Sequence, residues 1–505
     1  MPRPIHRPML LVLLIAVLAC GSCRPAATAD QDKTVSEVAP SPFDFDWDDR
    51  TAFNEGMIPS AQEVLGQLEG ASVYHIDLLL ADDLMAVGGQ LQVRYTNQET
   101  EALEEVYFRL FPNIFGGSTV INSATVDGQE VAPVFELWDS AMGIPLPTEL
   151  QPGQSVVIEL GFAVVLPEDG GGNYNILAYT DGILALAHFY PVVAVYDDEG
   201  WNIEIPSEQG DVLYADTSFF IVRVTAPAEL TLVASGFEIG RQTVGDLQQA
   251  TYAAGPMRDF FLAASERFEV ISGRVGDTTV NSYAPSEFAK ASERVLRYAT
   301  QALKDFDDRF GLYPFMEFDL VSTSTLALGI EYPGIVVIAL RMYDPEVNEY
   351  PEAYLESTVA HEVAHQWFYS IVGNDQLDEP WVDEAVTQYA TLLYYLDEYG
   401  VIGETGFRES LNGRWARVDY EEIPIGMPVA QYVGREYGAI VYGRGPLFFE
   451  ALEEVMDQED LEAFLRDYLE TFRWGIATTE SLKALAESHC DCDLTPLFLE
   501  WVYAP

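Results

Sequence analysis

The sequence predicts a multidomain α+β protein: an N-terminal all-β, sandwich-like region over residues 70–272, then a mostly helical region with a small β-sheet over 273–505. Three observations predict it. From Val73 onward, short runs of alternating apolar residues follow one another, separated by turn signals and with no helical pattern between them. After about residue 280 the apolar period changes from two to that of a helix. Finally, the chain of 505 residues is long enough for two or more domains with a large core.

Taken in order, residues 1–20 read as a lipoprotein-type export signal. Arg3 and Arg7 precede an apolar run, Met9 to Ala19, that is too short to span a bilayer comfortably. Val17-Leu18-Ala19-Cys20 resembles a bacterial lipobox, in which Cys20 becomes the lipidated first residue; an ordinary cleaved signal is the alternative. Residues 21–69, small, polar and Pro-containing at first, read as a tether with a short helix near Ser60 to Leu68. No other apolar run is long enough to cross a membrane, so the body is expected to be soluble and attached only through its N-terminal lipid.

The β region is carried by VYHIDLLLA from Val73, LQVRYTN, VYFRLFP, SVVIELGFAVVL, SFFIVRVTAP and LTLVASG, with turns at Asp127-Gly128 and Pro152-Gly153. Glu287 to Phe310 then carries apolar residues at helical spacing, and the chain stays mostly helical apart from short strands near FDLVSTS and GIVVIAL. No repeat of fixed period is present.

With 26 basic and 81 acidic residues, the formal charge is -55. Such a chain repels nucleic acid and anionic lipid, which excludes nucleic acid as a partner. Attraction of cationic peptides, adaptation to salt, or a merely solvated acidic surface all fit this balance. Cys490 and Cys492, the two cysteines of the folded body, form either a local clip or free thiols. His75 and His188 read as hydrogen-bonded structural residues and His489 is left unassigned.

The chemistry is concentrated in His361-Glu362-Val363-Ala364-His365. On a helix the two imidazoles lie one turn apart on one face, the spacing a single metal ion needs. Glu362 sits beside that face without being a ligand, where a carboxylate can act as base on water activated by the metal. Gly373-Asn374 is the expected helix end, and a second helical run after Pro380 brings Glu384. Two neutral His and one carboxylate leave a fourth position open, as in a catalytic zinc site.

This stretch, with WVDEAVTQYA around Glu384 and eighteen residues (366–383) between His365 and Glu384, resembles the M1 family of zinc aminopeptidases, gluzincin relatives of thermolysin. Leu328-Gly329-Ile330-Glu331-Tyr332 resembles the family's Gly-x-Met-Glu-Asn segment, and Val441-Tyr442-Gly443-Arg444-Gly445 its Tyr-x-Lys-Gly segment. The resemblance spans roughly residues 70–505, loosely in the β region. It implies a thermolysin-like catalytic domain over 273–505, with His361, His365 and Glu384 holding one Zn(2+) per chain and Glu362 as general base. Tyr442 would donate to the oxyanion, Glu331 would bind the free amine of a peptide substrate, and Gly329 would let backbone approach the peptide. Tyr332 and Ile330 replace the usual Asn and Met, which bears on the first specificity pocket; Ala385 replaces a usual Gly. The large C-terminal helical domain of many relatives has no counterpart before LFLEWVYAP, which implies a more open cleft. The expected function is removal of N-terminal residues from peptides outside the cytoplasm, as a cell-envelope lipoprotein. A metalloendopeptidase of the same fold and a non-catalytic peptide-binding envelope protein are the alternatives.

Overall fold

The computed structural model describes residues 38–168, 171–344 and 352–503. The expected export signal and Cys20 lie outside them.

The β region is built on an eight-stranded sheet. Its strands are β1 (Ser72–Leu80), β2 (Ala86–Thr96), β3 (Ser118–Val126), β4 (Gln129–Glu130), β5 (Ser155–Val165), β6 (Ser218–Pro227), β7 (Phe237–Val244) and β8 (Leu247–Met257), in the spatial order β7-β8-β6-β1-β2-β5-β3-β4. Alternation sets the buried face: in β2, Val87, Leu91, Val93 and Tyr95 are buried while Gln90 stays exposed. Leu91 sits opposite Ile76 on one side and Leu160 on the other. Two four-stranded sheets and a two-stranded one, Tyr196–Asp197 with Gly200–Trp201, complete this region, so the expected sandwich-like β architecture is present. The pairing of β1 with β6 is parallel, which periodicity alone does not reveal.

The expected tether is corrected in its described part. Residues 38–69 are docked, with short 3-10 turns at Pro42–Asp44, Thr51–Gly56 and Pro59–Gly66. Phe53, Met57, Ile58, Val64 and Leu65 are buried, Ile58 N–H donates to the Pro314 carbonyl at 2.9 Å, and Thr251 donates to the Pro40 carbonyl at 2.9 Å. Five apolar side chains in thirteen residues outweigh the ordering cost that a polar linker could not meet.

The second region holds a five-stranded sheet of β9 (Phe268–Val275), β10 (Thr278–Pro285), β11 (Glu317–Thr323), β12 (Gly329–Tyr332) and β13 (Ile335–Ala339), in the order β9-β10-β11-β13-β12. Because β9 pairs with β10 from Phe268 on, the division read at 272/273 falls inside a strand. Helix α1 (Ala289–Phe310) packs Val295, Ala299, Ala302, Leu303 and Phe306 into the core, the i, i+4, i+7 spacing seen in sequence.

Helix α2 (Glu352–Ala364) ends at Ala364, not near Gly373 as expected. Tyr369 takes φ 132, and the carbonyls freed in this tight turn are claimed by buried Arg258, which donates to Tyr369 O at 2.8 Å and Ile371 O at 3.4 Å. Helix α3 (Trp381–Trp415) begins directly after Pro380 as expected and is broken at Gly400, φ 62. The chain closes with α4 (Gly445–Met456), α5 (Gln458–Thr471), α6 (Thr479–Cys490) and α7 (Thr495–Trp501). Cys490 and Cys492 are joined in a disulfide, so the local clip is the alternative realised. Among the described residues no helix is long and apolar enough to cross a membrane.

Candidate metal centre

The last turn of α2 brings His361 and Glu362 to the floor of a cleft, His365 follows one residue past the helix end with its N–H on the His361 carbonyl at 3.3 Å, and the first turn of α3 delivers Glu384. Nε2 of His361 and Nε2 of His365 are 3.2 Å apart, and Glu384 Oε2 lies 3.1 Å from the first and 3.4 Å from the second. Ligand atoms about 2.0–2.1 Å from a tetrahedral zinc ion stand about 3.4 Å from one another. The three atoms therefore already have the spacing of a metal site.

The donor chemistry agrees. His365 Nδ1 faces the Phe368 carbonyl at 2.9 Å, with the Thr387 hydroxyl at 3.3 Å. A carbonyl can only accept, so Nδ1 carries the proton and Nε2 presents its lone pair to the site. Glu384 Oε2 is buried without a well-directed hydrogen bond among the described residues. Burial holds the His361 pKa down to about 4, keeping that ring neutral. Burial opposes ionisation of Glu384 too, but His365 and His361 pull its carboxyl well below the usual range. These residues fit a divalent cation with nitrogen and carboxylate ligands.

Glu362, 4% exposed, reaches over β12. It can do so because Gly329 has no side chain: a Cβ there would stand 2.5 Å from Glu362 Cγ and Cδ. Burial first, and then the Glu331 charge, push the Glu362 carboxyl well above its ordinary value. Glu331 lies on an edge strand yet is only 6% exposed, and one of its oxygens can approach His365 and Glu362 within a 4.8 Å group. Gln376 Nε2 donates to Glu331 Oε1 at 3.2 Å and to Asp383 Oδ2 at 2.8 Å. Tyr442, in a π-helical turn at Ile440–Arg444, donates its hydroxyl to Glu384 Oε1, and its ring centroid is 5.9 Å from that of His361. His361, Glu362, Glu384, Glu331 and Tyr442 line one cleft of about 530 Å³, shared with Gly329, Asp211, Arg414 and Arg417.

Sequence reasoning missed several participants. Asp211, from the β region, faces the same cleft, and burial followed by the Glu331 and Glu384 charges raises its carboxyl well above the ordinary range. Nothing in its surroundings of sequence marks it. Gln376 and Asp383 lie inside the motif-bearing stretch, where the adjacent carboxylates Asp383 and Glu384 were a readable signal. Tyr332, which replaces an Asn in the resemblance, does not line the cleft: it stacks on Phe261 at 4.3 Å between centroids, in the core. Ile330 does line it. His188 lies 2.8 Å from Asp259 and His75 stacks on Trp47, and neither lines the cleft. His489 faces Asp467 at 3.0 Å.

Residues 295–501 match the sequence profile of the peptidase family M1 domain. Among curated proteins, Aminopeptidase 2 of Candida albicans is 23% identical over 390 residues, which cover 73% of this chain and 41% of that protein. Aminopeptidase M1-B of Oryza sativa is 26% identical over 298 residues, covering 56% and 34%. The chain thus spans less than half the length of these relatives. An M1 zinc metallopeptidase from Deinococcus radiodurans superposes with a TM-score of 0.63 at 19% identity, over 86% of this chain and 94% of its own. A mutant of that protein bound to a Tyr-Ser-Ala substrate gives 0.63 as well, over 86% and 96%. At that identity the likeness is one of fold.

Proposed function

We propose that this chain, whose residues 295–501 match the peptidase family M1 domain, is a zinc-dependent aminopeptidase that cleaves the N-terminal peptide bond of peptides outside the cytoplasm. The observation that carries the reading is the convergence of His361, His365 and Glu384 within 3.4 Å of one another, with Glu362 and Glu331 lining the same cleft. His361, His365 and Glu384 would hold one ion per chain. When bound, zinc at such a site activates water and polarises a carbonyl.

The remaining work falls to the protein's own groups. Glu331, oriented by Gln376 and seconded by Asp211, holds the substrate ammonium by charge-assisted hydrogen bonds, which sets the first peptide bond over the site. Glu362 takes a proton from the attacking water and hands it to the departing amine, as its burial beside other carboxylates favours. The Tyr442 hydroxyl, adjacent to the ligand set, is the donor for negative charge developing on the carbonyl oxygen. Gly329 gives Glu362 its room.

The amine requirement separates an aminopeptidase from an endopeptidase. A dipeptide amide with a free amine should be cleaved and its N-acetylated form should not; similar rates on both would replace this reading with the endopeptidase one. Metal analysis together with chelation tests the non-catalytic alternative, since a scaffold would show neither stoichiometric zinc nor chelator-sensitive hydrolysis. The export signal and Cys20 support an envelope lipoprotein, and mass spectrometry of the membrane-extracted N-terminus should find diacylglycerol on Cys20. An unmodified N-terminus after cleavage would leave only an exported protein.

A further inference from the structure

The cleft is electrically divided. On the side of His365 lie Glu331 and Glu362. On the side of His361 and Tyr442 lie two guanidinium groups, Arg414 and Arg417, that line the same cavity. Arg414 ends the second arm of α3, beyond the Gly400 break, and donates to the Tyr442 carbonyl at 3.4 Å. The approach is close because Gly443 has no side chain: a Cβ there would stand 3.0 Å from Arg414 Cβ.

Neither cation meets a carboxylate among the described residues. In this they differ from Arg94, Arg223, Arg241, Arg267 and Arg408, which pair with acids, and from Arg109, Arg258 and Arg444, whose guanidinium groups each hold two or more backbone carbonyls. The third guanidinium of the cleft, Arg341, is held by the carbonyls of Thr325, Leu326 and Ala327. Among the described residues Arg414 makes one hydrogen bond out of the five that its donors allow. It is also held near a like charge: burial and the Arg417 charge keep its pKa below the usual range. A partly buried guanidinium beside a like charge, with most of its donors unused, is costly to a fold unless an anion joins them.

We propose that Arg414 and Arg417 form a carboxylate-binding subsite on the leaving-group side of the cleft, so that the protein selects peptides bearing a negative charge just beyond the scissile bond. The inference rests on the aminopeptidase reading for its direction. A peptide whose ammonium is held at Glu331 crosses the ligand set and continues toward His361, Tyr442 and the two arginines. The carboxylate is either the C-terminus of a short peptide or an acidic side chain, and both present the same two oxygens to a guanidinium fork.

Two substrate pairs distinguish these sources: Leu-Ala against Leu-Ala amide, and Leu-Glu amide against Leu-Gln amide. The charged member of at least one pair should have kcat/KM higher by about tenfold or more. Preference in the first pair alone identifies the C-terminal carboxylate, and preference in the second identifies the acidic side chain. In Arg417→Gln, an exposed position at which folding is not at stake, the ratio should fall toward one. In Arg417→Glu it should invert, and Arg414→Lys should lower it with less disturbance of Tyr442 than a neutral residue. Equal rates within both pairs, with hydrolysis intact, would overturn the subsite and leave the aminopeptidase standing. If no peptide is cleaved, the aminopeptidase reading fails. Calorimetric binding of the same pairs to the zinc-loaded Glu362→Gln protein still decides the subsite, because it needs no turnover: equal affinities within both pairs overturn it.

Discussion

The carboxylate of Glu362 occupies the space in which a side chain on Gly329 would stand. A Cβ at 329 would fall 2.5 Å from Glu362 Cγ and Cδ, far inside contact distance, with the strand backbone of β12 unable to yield because Gly329 pairs with Ile338. The glycine thus serves the carboxylate as well as any ligand above it. Gly329→Ala should push Glu362 out of place by about 1 Å and lower kcat on the order of a hundredfold. Zinc content should be unchanged, since no ligand atom is touched. A variant with normal kcat would show that Glu362 does not need this position.

Glu362→Gln keeps the shape and hydrogen-bonding reach of the side chain while removing its capacity to carry a proton. The expected loss in kcat is about 10²–10⁴-fold, the range of a positioned general base. The melting temperature should stay level or rise, because burial already disfavours the ionised carboxylate. Zinc measured by atomic spectroscopy should stay at one per chain.

Metal should stabilise the fold through the same three residues that bind it. With free zinc at about a thousand times the dissociation constant, linkage adds about 4 kcal/mol, readable as a rise in melting temperature that a chelator reverses. His361→Ala, His365→Ala and Glu384→Ala should each abolish the zinc-dependent rise. If one of them keeps it, that residue is not a ligand.

The motif region was legible because its chemistry is local: His361 and His365 share a helical face, and Pro380 announces the helix carrying Glu384. The strands were legible wherever one face is buried, as in Ala86–Thr96. What escaped is what depends on distant partners. The end of the α2 helix at Ala364 is imposed by Arg258, more than a hundred residues earlier, taking carbonyls beyond it. The docking of residues 38–69 depends on Pro314 and Phe315, and Asp211 reaches the cleft only because the β region folds over it. The one parallel neighbour of Ser72–Leu80 leaves no mark on its own alternation.

Arg258 offers a direct test of that long-range control. Its guanidinium donates to the carbonyls of Tyr369, Ala215, Ile371 and Gly475, and it is 2% exposed. Arg258→Met preserves much of the apolar stem but takes the guanidinium from four carbonyls, of which Ile371 O and Gly475 O keep the N–H groups of Trp474 and Gly373 while Tyr369 O and Ala215 O lose a buried donor. The expected cost is about 3–5 kcal/mol in denaturant unfolding. Because Phe368, in the same turn, accepts from His365 Nδ1, zinc affinity should weaken as well. A stable variant with unaltered zinc affinity would mean that the turn holds itself.

Asp375 makes the fold sensitive to pH in a direction opposite to a paired carboxylate. Its Oδ1 accepts the N–H groups of Leu377 at 2.9 Å and Asp378 at 3.0 Å, but burial outweighs them and pushes its pKa up to about 7. A carboxyl raised in the folded state costs nothing below its unfolded value of about 4, costs more as pH climbs toward 7, and costs its full amount above that. Asp375→Asn retains an oxygen for both N–H groups and cannot ionise. It should therefore be more stable than the parent at pH 8, by an amount of order 1 kcal/mol after allowance for partial solvent exposure, with the advantage vanishing as pH falls to 4. Melting curves at pH 4, 6 and 8 decide the matter: a gap that stays constant or widens on acidification would mean that Asp375 is ionised with an ordinary pKa in the folded protein.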